Sequence, residues 1–200
     1  MKLSLLNILA ASTPVLTFTN PPNQNQLQIP IQYQGPTMSN PHTLTQPNVL
    51  ISDVLGRDRS INIYAGFTRD VETVSTRLDS ADANSTVLAP LNSAIDGLPG
   101  KPWEDQHEYN ALGASAYDGD EGQERARRNI RRFVQAHIVP VSPWKEKERV
   151  RSLLDGDREI WWEVKEGVML LQPDGIEIQS VASKVGNGEV WIIKAVRKYA

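Results

Sequence analysis

The densest run of chemistry in the chain is a row of five arginines, Arg125, Arg127, Arg128, Arg131 and Arg132, set within two helical turns. Guanidinium forks at that spacing suit sulfate, phosphate or carboxylate groups, as on a polysaccharide or an acidic lipid. The competing reading is a solvated helix face, partly neutralised by Glu121, Glu124 and the acidic stretch before it, and residue types alone favour that one. A second reactive position is Asn84 in the tripeptide Asn84-Ser85-Thr86, an N-glycosylation sequon in a polar turn. The other residue types argue against catalysis. His42, His107 and His137 have no metal-ligand spacing. No serine sits in a G-x-S-x-G elbow, and no glycine-rich loop opens a helix in phosphate-binding form. Asp118, Asp120 and Glu121 lack the alternation and closing glutamate of a calcium loop. No enzyme activity, no cofactor and no metal is therefore expected. His137 falls on the apolar face of a helix, where a hydrogen-bonded structural role is expected.

Composition sets the outer limits. With 200 residues, 40% hydrophobic and 22% charged, the chain can bury one core and keep flanking segments. A net charge of −3 gives no general attraction to nucleic acid. The absence of cysteine excludes disulfides, thiolate zinc sites and a cysteine nucleophile. Residues 1–18 pair a basic start, Met1-Lys2, with an apolar run from Leu3 to Phe18 broken at Ser12-Thr13-Pro14. That run is too short to span a bilayer and has the form of a secretory signal peptide. A mitochondrial leader, which would want arginine, and a buried N-terminal helix are the alternatives. Residues 19–48, punctuated by Pro21, Pro22, Pro30, Pro36, Pro41 and Pro47 among Gln and Asn, form a linker. No hydrophobic tail follows the last strand, so neither a lipid-anchor signal nor a transmembrane span is expected.

The elements that must position these groups begin at Val49. Val49, Leu50, Val54 and Leu55 have helical spacing, and Gly56 stops them. Ile61, Ile63, Tyr64 and Phe67 lead into one helix continued by Val71, Val74 and Leu78. Thr86 to Ala89 is a strand ended by Pro90, after which Asn92 or Ser93 caps a short helix through Ile95. Residues 97–122 read as an irregular, glycine- and proline-broken insertion that Trp103 and Tyr109 could anchor. Gln123 to Ile138 is a helix with Ala126, Ile130, Phe133, Val134 and His137 on one face. Short strands follow at 160–164, 168–171, 176–178, 181–185 and 190–196, joined by tight turns such as Pro173-Asp174-Gly175 and Gly186-Asn187-Gly188, which implies an antiparallel sheet.

Three segments in this order resemble the signature boxes of the fasciclin-like (FAS1) domain. Thr86-Val-Leu-Ala-Pro-Leu-Asn-Ser-Ala-Ile95 is similar to the strand-to-helix box T-V-F-A-P-T-N-x-A-F, Phe133-Val-Gln-Ala-His-Ile-Val139 to the central histidine segment, and Asn187-Gly-Glu-Val-Trp-Ile-Ile-Lys-Ala-Val196 to the closing box N-G-x-x-x-x-I-D-x-V. The resemblance runs over about Val49 to Lys198 and is greatest to the stand-alone, single-domain fasciclin proteins of fungi. It implies an α+β fold of FAS1 type, an antiparallel sheet or wedge packed with several short helices, in one domain over residues 49–200. It implies structural roles for Pro90, His137, Asn187 and Gly188. It also implies a secreted, cell-surface or vacuolar binding module, partnered by a polysaccharide, a cell-surface protein or a second copy of itself. The arginine helix and the insertion would be its contact surfaces. Leu91 and Lys194 replace the family's usual threonine and aspartate, and Ala136 stands where some animal members carry the tyrosine linked to integrin binding, so that particular adhesion is not expected here. A small-ligand carrier or enzyme with a cleft beside the sheet is the alternative, as is an intracellular structural protein if residues 1–18 are not a signal.

Overall fold

The computed structural model describes residues 46–199; the signal-like stretch 1–18 and nearly all of the linker 19–48 lie outside the described residues. The fold is set by two strands far apart in sequence. Strand β1 (Ser85–Pro90) and strand β6 (Gly188–Ile193) run side by side, buried at every position. They pair in parallel, Ser85 opposite Gly188 through Pro90 opposite Ile193. Around them β2 (Ile138–Val139), β3 (Trp161–Lys165), β4 (Val168–Gln172) and β5 (Ile176–Val185) complete a six-stranded sheet in the order β2-β1-β6-β5-β4-β3. Every other neighbouring pair is antiparallel. The expected antiparallel sheet is thus mixed at its centre, because the chain after β1 makes all the intervening elements before β6 returns beside it in the same direction.

Both faces of this centre are covered, which is why β1 and β6 read as near-continuous apolar runs. Val87, Ala89, Val190 and Ile192 face a cluster built with the helices, where Ile51, Tyr64, Val74, Leu78, Phe133 and Val134 join them. Leu88, Trp191 and Ile193 face a second cluster with Trp144, Ile160, Leu171 and Ile178, in which the Trp144 and Trp191 rings stack at 5.6 Å. Strand β5 is continuous where two short strands are expected. Register shifts between Ile178 and Ser180 and between Val181 and Ser183 break its alternation without ending it.

One turn locks β6 against the helices. At Gly188, with φ of +149°, an added Cβ would lie 1.8 Å from the Ser85 carbonyl oxygen, so only glycine admits this strand spacing. Its neighbour Asn187 is fully buried; its carbonyl oxygen accepts from the Ile51 amide at 2.8 Å, and its amide donates to the Leu78 and Ser80 carbonyls at 2.8 and 2.9 Å. One side chain thereby closes the start of helix α1 (Ile51–Val54) and the end of helix α3 (Glu72–Leu78).

The single helix expected through Leu78 is two. Helix α2 (Asn62–Asp70) stops at Val71, which takes an extended conformation at φ −105°, ψ 95° before α3 begins. Val71 itself is buried, so the break keeps the apolar stripe turned inward on both sides. Helix α4 (Asn92–Asp96) follows Leu91 with no side-chain cap. Asn92 instead accepts from the Ile63 amide at 3.1 Å and donates to the Arg59 carbonyl at 2.8 Å, tying α4 to α2. The insertion is more ordered than its glycines imply. It contains helix α5 (Gln106–Leu112), capped by Asp105, and the first turn of helix α6 (Gly119–Ala136). Gly122 is buried where a Cβ would meet the Tyr117 backbone at 2.2 Å, so this glycine marks close packing inside a helix and not a break.

His137 ends α6 and is fully buried. Its Nδ1 lies 2.7 Å from the Phe133 carbonyl and its Nε2 accepts from the Arg197 amide at 3.2 Å, which puts the proton on Nδ1 in the neutral ring. The Arg197 guanidinium, equally buried, donates to the Ala136 carbonyl and pairs with Asp157 at 3.0 Å, and Asp157 accepts from the Ser152 hydroxyl. This network fastens the segment after β6 to the end of α6. Burial, reinforced by the Arg197 charge, pushes the His137 imidazole down to about 3. The folded protein therefore does not take up the proton that the unfolded chain binds below its ordinary value near 6.5, and stability falls as pH drops. We expect a loss of about 2 kcal/mol between pH 7 and pH 5 from this ring, above the range where carboxylates titrate. Urea unfolding across that range should show a clearly smaller slope in His137→Gln; the same slope in both proteins would contradict the assignment.

Candidate functional site

Helix α6 carries the arginine row, and its geometry divides that row into two flanks. Successive residues turn by about 100°. Arg125, Arg128 and Arg132 therefore lie on one side, while Arg127 and Arg131, four residues apart, lie on the other. The apolar face between them holds Phe133 and Val134 in the core.

The first flank is occupied by the protein's own insertion. Arg125 donates to the Ala116 carbonyl at 2.7 Å and lies 3.6 Å from Glu121. Arg128 pairs with Glu108 of α5, and Arg132 lies 3.8 Å from Asp105. Asn129 adds hydrogen bonds to the Trp103 carbonyl at 3.1 Å and to Glu108 at 2.9 Å, and the Tyr117 hydroxyl donates to Glu108 at 3.1 Å. Partial burial works to raise the Glu108 carboxyl, but the hydrogen bonds from Asn129, Tyr117 and Arg128 outweigh it and hold the group below the usual carboxylate range. Trp103 meets the edge of Phe67 at 6.4 Å and so anchors the insertion, as its type suggested. Tyr109 does not; half of its surface is exposed.

The second flank is open. Arg127 and Arg131 line a groove of about 840 Å³ between α6 and the α2–α3 junction, with Asp70, Glu72 and Thr73 on the facing wall. Arg127 lies 3.8 Å from Glu124, both side chains largely in solvent, a geometry that contributes little. Arg131 forms no ion pair with another described residue. The groove thus offers two accessible guanidinium groups beside two carboxylates.

The remaining singled-out positions are placed apart from this groove. Asn84 is exposed at the mouth of β1; its carbonyl accepts from Arg77 at 2.8 Å, while the sequon's Thr86 is buried and donates to the Val141 carbonyl at 2.6 Å. Pro90 is the last residue of β1, opposite Ile193. His137, Asn187 and Gly188 sit in the packing contacts described above. Among the described residues no group of His, Cys, Asp and Glu converges as a metal-ligand set, and no helix is long and apolar enough to cross a membrane. The roles of Asp105 and Glu108 were missed by sequence reasoning, although Asp105 followed three residues later by Glu108 is the pattern of a helix N-terminus.

No family model matches the chain. Curated relatives do. A FAS1 domain-containing protein of Neurospora crassa is 58% identical over 150 residues, 75% of this chain and 65% of that one. FAS1 domain-containing proteins of Aspergillus fumigatus and Emericella nidulans are 46% and 49% identical, over 75% and 73% of this chain and 64% and 60% of theirs. The chain spans less than two thirds of the length of each of these relatives. Among solved structures, the FAS1 domain pair of the insect cell adhesion molecule fasciclin I superimposes with a TM-score of 0.52 over 76% of this chain and 51% of that one, at 10% identity, a likeness of fold alone. Sequence boxes, mixed sheet and relatives converge on one conclusion: this chain carries a FAS1 domain.

Proposed function

We propose that this FAS1 module works by binding and not by catalysis, in the secretory pathway, at the cell surface, in the wall or matrix, or in a vacuolar lumen. Its partner on this reading is an anionic polysaccharide held at the groove of Arg127 and Arg131. The observation that carries the reading is the division of the arginine row. Arg125, Arg128 and Arg132 bind the insertion, and Arg127 and Arg131 stay accessible beside a groove of about 840 Å³. Two guanidinium groups one helical turn apart can grip successive sulfate or carboxylate groups, and Asp70 and Glu72 opposite them disfavour a more densely charged polyanion such as nucleic acid.

Chondroitin sulfate, with one carboxylate and one sulfate per disaccharide, tests the contact. Binding should weaken steeply with added salt, since the contact is largely ionic and solvent-accessible. Arg127→Ala with Arg131→Ala should lower affinity by about tenfold or more at low salt, each lost charged contact being worth about 1 kcal/mol. Unchanged binding in the double variant would reject the groove as the site.

Passage through the secretory pathway rests on the signal-like residues 1–18 and on the exposed position of Asn84. Glycans are added to the unfolded chain, so the buried Thr86 of the sequon is no obstacle. Protein from its native host should begin downstream of Met1 and lose apparent mass on endoglycosidase treatment, and Asn84→Gln should abolish that loss. An intact Met1 with bare Asn84 would instead favour an intracellular role.

A further inference from the structure

A second groove, of about 670 Å³, lies on the other side of α6, between residues 98–109 and the segment 196–199 after β6. The two walls differ in character. On the insertion side, α5 buries none of its residues, and Tyr109 stands on the groove with 50% of its surface exposed. On the facing side Tyr199 is fixed, its ring packed edge-on against Phe133 at 6.3 Å and His137 at 6.2 Å. Lys101 and Lys198 line it, one on each wall, and neither forms an ion pair with another described residue. Glu104 lines the same groove as an acceptor, its carboxylate taking a hydrogen bond from the Lys101 amide at 2.9 Å.

We infer that this groove is a subsite for a uronic-acid oligosaccharide. A pyranose ring has one face of C–H bonds and a rim of hydroxyls, which requires a flat exposed ring beneath it and acceptors at its edge. Tyr109 and Glu104 supply these, and an amphipathic aromatic half in solvent is suited to that use. The acidic character follows from the lysines. Two separated ammonium groups fit a ligand with one carboxylate per sugar ring, and with the Glu104 carboxylate in the same lining they suit the closer charge spacing of a polyphosphate less well. The mixed polar lining equally disfavours an apolar helix from a partner protein, which needs a hydrophobic trough. Tyr199 and Phe133 act as the rigid back wall, so little side-chain ordering accompanies binding. The site is separate from the Arg127–Arg131 groove and does not depend on that reading.

Hexagalacturonate, with cellohexaose as the neutral comparison, tests this on the full chain. Titration followed by amide chemical shifts should perturb Lys101, Tyr109 and Lys198. Tyr109→Ala should weaken binding by about tenfold, and Tyr109→Phe, which keeps the ring, should stay within about twofold of the parent. Lys101→Ala with Lys198→Ala should remove the preference for hexagalacturonate over cellohexaose. In the Arg127→Ala with Arg131→Ala variant the shift changes at Lys101, Tyr109 and Lys198 should persist with the same midpoint, whatever is lost at the other groove, which separates the two sites. Absence of binding at millimolar ligand, or unchanged affinity in Tyr109→Ala, would overturn the inference. Equal affinity for cellohexaose in the parent protein would overturn its acidic assignment.

Discussion

The whole arrangement depends on how closely β6 approaches β1. With the Gly188 Cα position where a side chain would strike the Ser85 carbonyl at 1.8 Å, the two strands can pair in parallel only if that position is glycine. Asn187, one residue earlier, spends its three hydrogen bonds on the ends of two helices that lie against the same strands. A buried side chain amide satisfied in this way specifies geometry sharply, because any other register leaves polar groups unpaired in the core at about 1–3 kcal/mol each. The turn therefore does for this fold what a disulfide does in a small secreted domain, in a chain that has no cysteine.

From that contact outward the structure divides into a firm part and a tethered part. The sheet centre has an apolar cluster on each face, and α6 lies on one of them through Phe133 and Val134. The insertion, by contrast, is attached to α6 largely by ionic and hydrogen-bonded groups, Asp105, Glu108, Arg128 and Asn129, with Trp103 against Phe67 and the buried Ala116 as apolar contacts. Exposed ionic ties hold less firmly than core packing. Both grooves border this scheme, one on each side of α6, and function on this account is written on the flanks of a single helix.

Much of the frame could be read from the sequence because close contacts dictate residue type. Asn187-Gly188 and the run from Thr86 to Ile95 were legible as boxes for that reason, and α6 was legible from the spacing of Ile130, Phe133, Val134 and His137. The parallel pairing was not, since alternation and turn residues say nothing of strand direction when some hundred residues intervene. The break at Val71 was hidden because apolar spacing continues across it. Gly122 misled in the opposite sense: it looked like a breaker and is a packing glycine. The arginine row showed its charge but not its partners, because Glu108 and Asp105 reach it from a separate helix through a loop. Once α6 is drawn as a helix, its positions alone separate Arg127 and Arg131 from the rest, and that part of the candidate site was available from spacing.

The central claim concerns one close approach, and a pair of glycines isolates it. Gly175 also has a positive φ, +67°, but nothing lies within 4 Å of a Cβ built there, so Gly175→Ala measures backbone strain without a clash. Urea unfolding should show a loss of about 1 kcal/mol for Gly175→Ala, from the unfavourable backbone alone. Gly188→Ala should lose about 3 kcal/mol or more, because the strand pair must separate or shift. Equal losses in the two variants would contradict the account.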